Sequence, residues 1–152
     1  PASGTRGLCC MRPSKHSEDS RLFYDWLEMA ARDLLAARLL IEQGQCLEIA
    51  GFHCQQCMEK TLKAYLIAVT GRLVDGHNLT WLLRQAIKAR AEFRIYMDDA
   101  AEMNRLYIEA RYPSDRELIL SAEDAEAMRR TAETVYTAVC DEIYDSPDAE
   151  ED

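Results

Sequence analysis

The stretch GFHCQQCMEKTLKAYL, residues 51–66, lies inside a helical pattern that runs without a proline from about Cys46 to Val69. At ~100° per residue, apolar side chains recur on one face of this segment at helical spacing. They are Leu47, Ala50, Cys54, Met58, Leu62, Tyr65 and Val69. The pattern predicts a long central helix whose apolar stripe packs into the core.

The opposite face of this helix mixes large apolar groups with long polar ones. Ile49, Phe52 and Ile67 lie in line with Gln56 and Lys63, with Lys60 beside them. A helix with two partly apolar faces needs two partners. One is the chain's own core, and the second is another subunit, a ligand or a further helix. We predict that Ile49, Phe52 and Ile67 form the interface of a homodimer.

The segment before the central helix predicts a second long helix. It runs from about Ser20 or Arg21 to Gln43, with Ser20 as its cap and Gly44 as its end. The close spacing of the two helices favours an antiparallel hairpin. Asp33 lies at the edge of the apolar stripe of this helix. We expect it to face solvent, and the alternative is a buried partner for an Arg or a Lys.

The remaining segments are also helical, and no stretch alternates as a strand does. A third helix is predicted from His77 or Asn78 to about Ala91, and a fourth from about Met97 to Ala110. A last helix follows the capping-box-like start at Ser121. The prediction is an all-α, up-and-down bundle of four long helices plus a shorter one, over residues 21–144. Residues 1–20 are predicted to be a disordered lead or a vector-derived remnant, and residues 145–152 an acidic, disordered tail.

The composition restricts the class of protein. The 152 residues, 48% of them hydrophobic, suit one domain with a full core. No apolar run approaches the ~18 to 20 residues that span a bilayer, and no signal peptide is recognisable. We therefore predict a cytoplasmic protein without membrane contact. The net charge of −9 argues against non-specific DNA binding, which needs clustered cations.

The six cysteines do not form a pattern that predicts a disulfide framework or a metal site. Cys54 and Cys57 have no second pair at ligand spacing, and only His53 is near them, whereas a zinc site normally takes four ligands. We predict free thiols, with no metal and no cofactor.

Three motifs occur along the chain: Gln55-Gln56 followed by Glu59-Lys60 and Lys63-Ala64, then His77-Asn78-Leu79, and then Arg111-Tyr112-Pro113. Together they resemble the HEPN domain, the higher eukaryotes and prokaryotes nucleotide-binding domain. The resemblance covers roughly residues 20 to 144. It implies a helical bundle that commonly dimerises. It also implies a role in binding nucleotides, or in pairing with a small nucleotidyltransferase in a toxin-antitoxin-like context.

Some members of this family are metal-independent ribonucleases whose signature is an Arg, four to six residues, and then a His. No His follows Arg111 at that spacing, so the signature is absent from its expected place. Arg72 and His77 match the spacing, but they lie in the predicted turn after the central helix. Catalysis through Arg72, His77 or Arg111 is therefore the rival hypothesis. Otherwise His77 is a helix-start residue that forms a hydrogen bond with backbone or with a neighbouring side chain.

The polar groups of the central helix suggest an anion site. Gln56, Lys60 and Lys63 are neighbours at helical spacing and offer amide and ammonium donors to a phosphate. Arg111 would add a forked guanidinium, and Tyr112 an aromatic face for a base. The alternative is that the lysine row is solvated or faces a dimer partner, while Arg111 pairs with Asp33 or Glu59. The prediction is a non-catalytic, dimeric module that binds a nucleotide or another phosphate-bearing ligand, with a purely structural assembly module as a further alternative.

Overall fold

The first two helices form a hairpin across a short turn. The computed structural model describes residues 19–145, and in it α1 (Phe23–Gln43) is followed by α2 (Leu47–Thr70). Gly44 ends α1 with φ +63°, in the left-handed region that glycine adopts without strain. The predictions for residues 1–18 and 146–152 lie outside the described residues.

Shorter elements connect this hairpin to the last long helix. They are α3 (Leu79–Ile87), a 3₁₀ helix (Ala91–Tyr96), α4 (Met97–Asn104) and α5 (Leu106–Glu109). α6 (Ala122–Tyr144) then packs against both α1 and α2. The all-α bundle is confirmed, and no strand occurs within residues 19–145.

Two helix starts follow ordinary capping chemistry. The Asn78 side chain accepts a hydrogen bond from the backbone N–H of Trp81 at 3.0 Å, and that of Ser121 accepts one from Asp124 at 3.0 Å. Each satisfies a backbone donor that a helix start leaves unpaired. The predicted starts of α3 and α6 are therefore correct to within two residues.

The central helix α2 is buried on both faces over much of its length. The predicted stripe from Ala50 to Tyr65 has no exposed member, whereas Val69, which we assigned to the same stripe, is 44% exposed near the end of the helix. On the other face, Ile67 is only 6% exposed, because the chain's own helices already cover it. None of the helices within residues 19–145 is long and apolar enough to cross a bilayer.

Three predicted details of the helices are wrong. Ser20 does not cap α1; it donates to the Asp25 side chain, and Leu22 occupies the cap position. The third helix ends at Ile87, because the chain turns there to bring Phe93 into the core. The fourth breaks at Arg105, which divides it into α4 and α5.

Candidate functional site

Glu59 is a buried carboxylate whose two oxygens are both occupied. Oε1 accepts a hydrogen bond from Lys63 Nζ at 3.0 Å and lies 2.9 Å from His77 Nδ1. Oε2 accepts hydrogen bonds from the side-chain amides of Gln55 and Gln56, at 3.2 and 3.3 Å. These five residues are called the Glu59 network below. The paired charges and hydrogen bonds compensate for burying this carboxylate, so its position is fixed.

Asp33 of α1 carries a second, similar arrangement. It is 9% exposed, accepts a hydrogen bond from Lys60 Nζ, and lies 2.9 Å from His53 Nδ1. The prediction that Asp33 faces solvent is wrong, and the alternative, a buried partner for a lysine, is correct. Asp33 lies at the edge of the apolar stripe of α1, and α2 packs against that edge. Lys60 of α2 balances the negative charge of the buried carboxylate.

Arg111 follows α5 and is exposed among aromatic rings. Its guanidinium carbon lies 4.3 Å from the centre of the Tyr107 ring, and 5.3 Å from the rings of Phe52 and Tyr112. Its Nε donates to the Tyr107 carbonyl. Among residues 19–145, no carboxylate pairs with it. The alternative that Arg111 pairs with Asp33 or Glu59 is therefore wrong. Asp33 pairs with Lys60 instead, and Glu59 pairs with Lys63.

The Tyr107 ring contacts both His77 and Arg111. The His77 imidazole stacks on the same Tyr107 ring with 4.4 Å between ring centres and 15° between planes. His77 therefore contacts the Glu59 network through Nδ1 and the aromatic residues around Arg111 through its ring face. That surface, formed by Phe52, His77, Tyr107, Arg111 and Tyr112, is called the Arg111 surface below.

The charges of the two regions differ. In the Glu59 network and around Asp33, each lysine has a carboxylate, so little net charge remains. On the Arg111 surface, the guanidinium has aromatic neighbours instead of an acid, and cation–π contacts leave its positive charge uncompensated. Tyr112 is 59% exposed, so much of its side chain is open to solvent. This arrangement suits an anion attached to a planar group.

The predicted ligand residues therefore separate into an inner and an outer group. Gln56, Lys60 and Lys63 are bound within the chain, and the Lys63 side chain is only 5% exposed, with its Nζ 5.3 Å from the centre of the Trp26 ring. Arg111 and Tyr112 lie outside. Of the predicted interface residues, Ile49 and Phe52 are half-buried and Ile67 is buried.

Arg72 and His77 do not share a site. Arg72 lies beside Thr70 at the end of α2, where its backbone N–H donates to the Thr70 hydroxyl. His77 contacts Glu59, which lies about three helical turns before the end of α2. The prediction that His77 bonds to a neighbouring side chain is correct.

The roles of Glu59, His53 and Tyr107 were not predicted from the sequence. A signal existed for two of them, since Glu59 and Lys63, like Tyr107 and Arg111, are four residues apart and adjacent on a helix. His53 could not be placed in this way, because its partner Asp33 is twenty residues away in the chain.

The two thiols of α2, Cys54 and Cys57, are buried in the core. Burial raises the pKa of Cys54 and of Cys57 to about 12, so both remain protonated at neutral pH. Cys46 is exposed. Within the described part of the chain, no group of three or more His, Cys, Asp or Glu residues is arranged to hold a metal ion.

Comparison with known proteins finds one family and two similar structures. A model of the HEPN domain matches residues 23–143. The crystal structure of ST0689, an archaeal HEPN homologue, is 28% identical with a TM-score of 0.63, covering 80% of this chain and 98% of its own. TT1696 from Thermus thermophilus is 24% identical with a TM-score of 0.67, covering 78% of this chain and 96% of its own, and shows the fold alone. No curated protein matches the chain.

Proposed function

The chain belongs to the HEPN domain family, and from this premise we propose that it is a non-catalytic, dimeric member that binds a nucleotide or another phosphate-bearing ligand at the Arg111 surface. The observation that carries the proposal is the exposed guanidinium of Arg111, which has three aromatic rings within 5.3 Å of its carbon and no carboxylate partner among residues 19–145.

The chemistry of this surface fits both parts of a nucleotide. A guanidinium presents parallel N–H donors that match the oxygens of a phosphate. An exposed tyrosine ring, such as that of Tyr112, stacks on a base, and such stacking contributes about 1–3 kcal/mol per base. The surface is therefore complementary to a mononucleotide or to the end of an oligonucleotide.

The Glu59 network holds His77, one residue of the Arg111 surface, in place. It fixes His77, and His77 stacks on the ring that Arg111 also contacts. Preorganised contacts reduce the entropy that a ligand must lose on binding. Gln56 and Lys63 thus contribute to the proposed site by holding Glu59, whereas Lys60 pairs with Asp33 outside this network. Arg111 and Tyr112 would contact the ligand.

The proposed homodimer uses Ile49 and Phe52. Both are half-buried on the second face of α2, and Phe52 also contacts Arg111. A dimer through this face would place two Arg111 surfaces near each other. We also propose pairing with a small nucleotidyltransferase; it would be tested by co-purification of the two proteins.

Calorimetric titration tests the binding proposal. AMP, UMP, ATP and a short RNA would be titrated into the wild-type chain, the Arg111→Ala variant and the Arg116→Ala variant. Arg116 is a matched control because it is an exposed arginine of the same loop. The proposal requires binding that Arg111→Ala weakens at least about tenfold and Arg116→Ala leaves unchanged. No binding across the panel would contradict it.

Metal-independent cleavage of RNA is a second candidate, because Arg111 and His77 contact the same Tyr107 ring. An imidazole beside a guanidinium can act as an acid or base on a phosphodiester. Incubation of single-stranded RNA with EDTA present tests this candidate. Cleavage that is lost in both His77→Ala and Arg111→Ala would favour it over the non-catalytic proposal. Intact RNA, or cleavage that survives His77→Ala, would remove it.

A further inference from the structure

The side of α3 that faces solvent combines a tryptophan with two cations. Trp81, Arg84 and Lys88 are spaced by three and four residues, and Lys88 follows α3 with helical backbone angles. The three side chains therefore lie on one side of the helix. Trp81 is 41% exposed, and both cations are exposed as well. The buried residues of α3 lie on the other side, and the helix contains no acid.

Neither cation has a carboxylate partner in the part of the chain that the structure describes. Within residues 19–145, no ion pair includes Arg84 or Lys88. The Lys88 ammonium donates to the neutral side-chain amide of Gln85 at 2.8 Å. This part of the surface is therefore positive, although the chain as a whole carries a net charge of −9.

A cleft of about 510 Å³ lies between the ends of α2 and α3, next to these cations. Gln85 and Lys88 line it from α3, and Arg72 lines it from the segment just after α2. The rest of its lining is mostly apolar and contains no acid. These residues are Leu66, Val69, Thr70, Val74 and Ala89. A cleft of this volume lies within the range of ligand-binding sites in proteins.

The helix dipole explains only part of this arrangement. Cations near the C-terminal end of a helix interact favourably with its dipole, which accounts for Arg84 and Lys88. It does not account for an exposed Trp81 beside them. Tryptophan and arginine next to an apolar cleft are typical of protein-binding surfaces. A single-stranded nucleic acid fits less well, because its successive bases stack on several rings, and α3 has one aromatic residue.

We propose that this surface, formed by Arg72, Trp81, Arg84, Gln85 and Lys88 and called the α3 surface below, binds an acidic peptide segment of a partner protein. An apolar side chain of that segment would fill the cleft, and its carboxylates would pair with the cations. None of these residues belongs to the Arg111 surface. The inference therefore goes beyond the proposed function and does not rest on it.

Fluorescence anisotropy with labelled peptides tests this proposal on the full chain. The first peptide, EELEEFEE, combines acidic residues with apolar ones. The peptide EEGEEGEE keeps the negative charge without the apolar side chains, and KKLKKFKK keeps the apolar side chains with the opposite charge. A single-stranded oligouridine of the same length tests for a nucleic acid instead.

Two double variants remove the same amount of positive charge from different places. Arg84→Ala with Lys88→Ala removes two cations of the α3 surface. Arg38→Ala with Arg130→Ala, the matched control, removes two exposed cations of α1 and α6. Circular dichroism of each variant shows that a change in affinity does not come from unfolding.

Trp81 also reports directly on the position of the peptide. Unlabelled EELEEFEE should change the tryptophan emission of the wild-type chain, because it would cover the exposed indole. The change should disappear in Trp81→Phe, since the remaining tryptophan, Trp26, lies in α1 and packs against the core. An emission change that persists in Trp81→Phe would place the peptide elsewhere and overturn the inference.

We expect EELEEFEE to bind the wild type more tightly than the other three probes do. Its affinity should fall about fivefold in Arg84→Ala with Lys88→Ala and stay unchanged in Arg38→Ala with Arg130→Ala. No binding of EELEEFEE, equal binding of EEGEEGEE, or equal losses in the two double variants would overturn the inference. Tighter binding of the oligouridine would overturn it in favour of a nucleic-acid surface.

Discussion

Gly51 of α2 leaves the space that the Leu120 side chain occupies, because a Cβ on this glycine would lie 2.9 Å from Leu120 Cδ2. The same Cβ would lie 2.9 Å from Leu106 Cδ1. Leu106 and Leu120 stand on either side of Arg111 in the chain, and both are buried. The absence of a side chain at Gly51 therefore lets the segment that carries Arg111 pack closely on α2.

Gly51→Ala should overpack the core at a cost of about 1–3 kcal/mol, because Leu106 and Leu120 are both buried. The gain in helix propensity should offset about 1 kcal/mol of this cost, which leaves a net destabilisation of about 0–2 kcal/mol. Urea unfolding measures the net effect. Ala68→Gly, at an exposed position of the same helix, calibrates the propensity term. A Gly51→Ala chain more stable than wild type would show that the close packing of Leu120 is unimportant.

Asp33→Ala should cost up to about 3–5 kcal/mol of unfolding free energy, because it leaves Lys60, whose side chain is only 18% exposed, without a countercharge. The double variant Asp33→Leu with Lys60→Met should recover most of this loss, since it removes both charges. Glu28→Gln, which breaks an ion pair whose side chains are each 66% exposed, should have almost no effect. Chemical denaturation of the four chains provides the comparison. Equal losses in the single and double variants would mean that packing, and not charge, explains the effect.

The stability of the chain should fall as the pH rises from about 9 to about 12. Burial raises the pKa of the Cys54 and Cys57 thiols from 9.0 to about 12, so the folded state keeps protons that the unfolded state loses. Their contribution to stability is complete below pH 9 and disappears as the pH approaches 12. Unfolding with urea under reducing conditions, at several pH values, measures this slope. Cys54→Ala should reduce the slope, and Cys46→Ala, at an exposed site, should not. An unchanged slope in Cys54→Ala would contradict the assignment.

Phe52→Glu should weaken the proposed homodimer, because it places a carboxylate on the second face of α2. Sedimentation over a range of protein concentrations would detect the change. Leu39→Glu is the matched control, since Leu39 is 53% exposed on α1, away from the proposed interface. A dimer that is lost in Leu39→Glu and kept in Phe52→Glu would place the interface elsewhere.

The long helices could be predicted from sequence because their apolar spacing is regular. α1, α2 and α6 begin and end within three residues of the predicted bounds. The third helix was predicted too long because no glycine or proline follows Ile87, and tertiary packing of Phe93 ends it. A local pattern carries no information on that contact.

The candidate site was less predictable for the same reason. Lys60 and Lys63 have the spacing of an anion site, but the sequence does not show that Asp33 of another helix occupies one of them. The stacking of His77 on Tyr107 joins residues thirty positions apart. Arg111 and Tyr112 were identified by residue type, and their surroundings required the structure.

The proposed binding depends on the charge and the shape of the Arg111 side chain, and calorimetry of Arg111→Lys with AMP and UMP tests both. Lysine keeps the positive charge but loses the planar fork that lies 4.3 Å from Tyr107. We predict that wild type binds, that Arg111→Lys binds at least about fivefold more weakly, and that Arg111→Ala is weaker still. Equal affinities in the three chains, or no binding in any, would contradict the proposed role of Arg111.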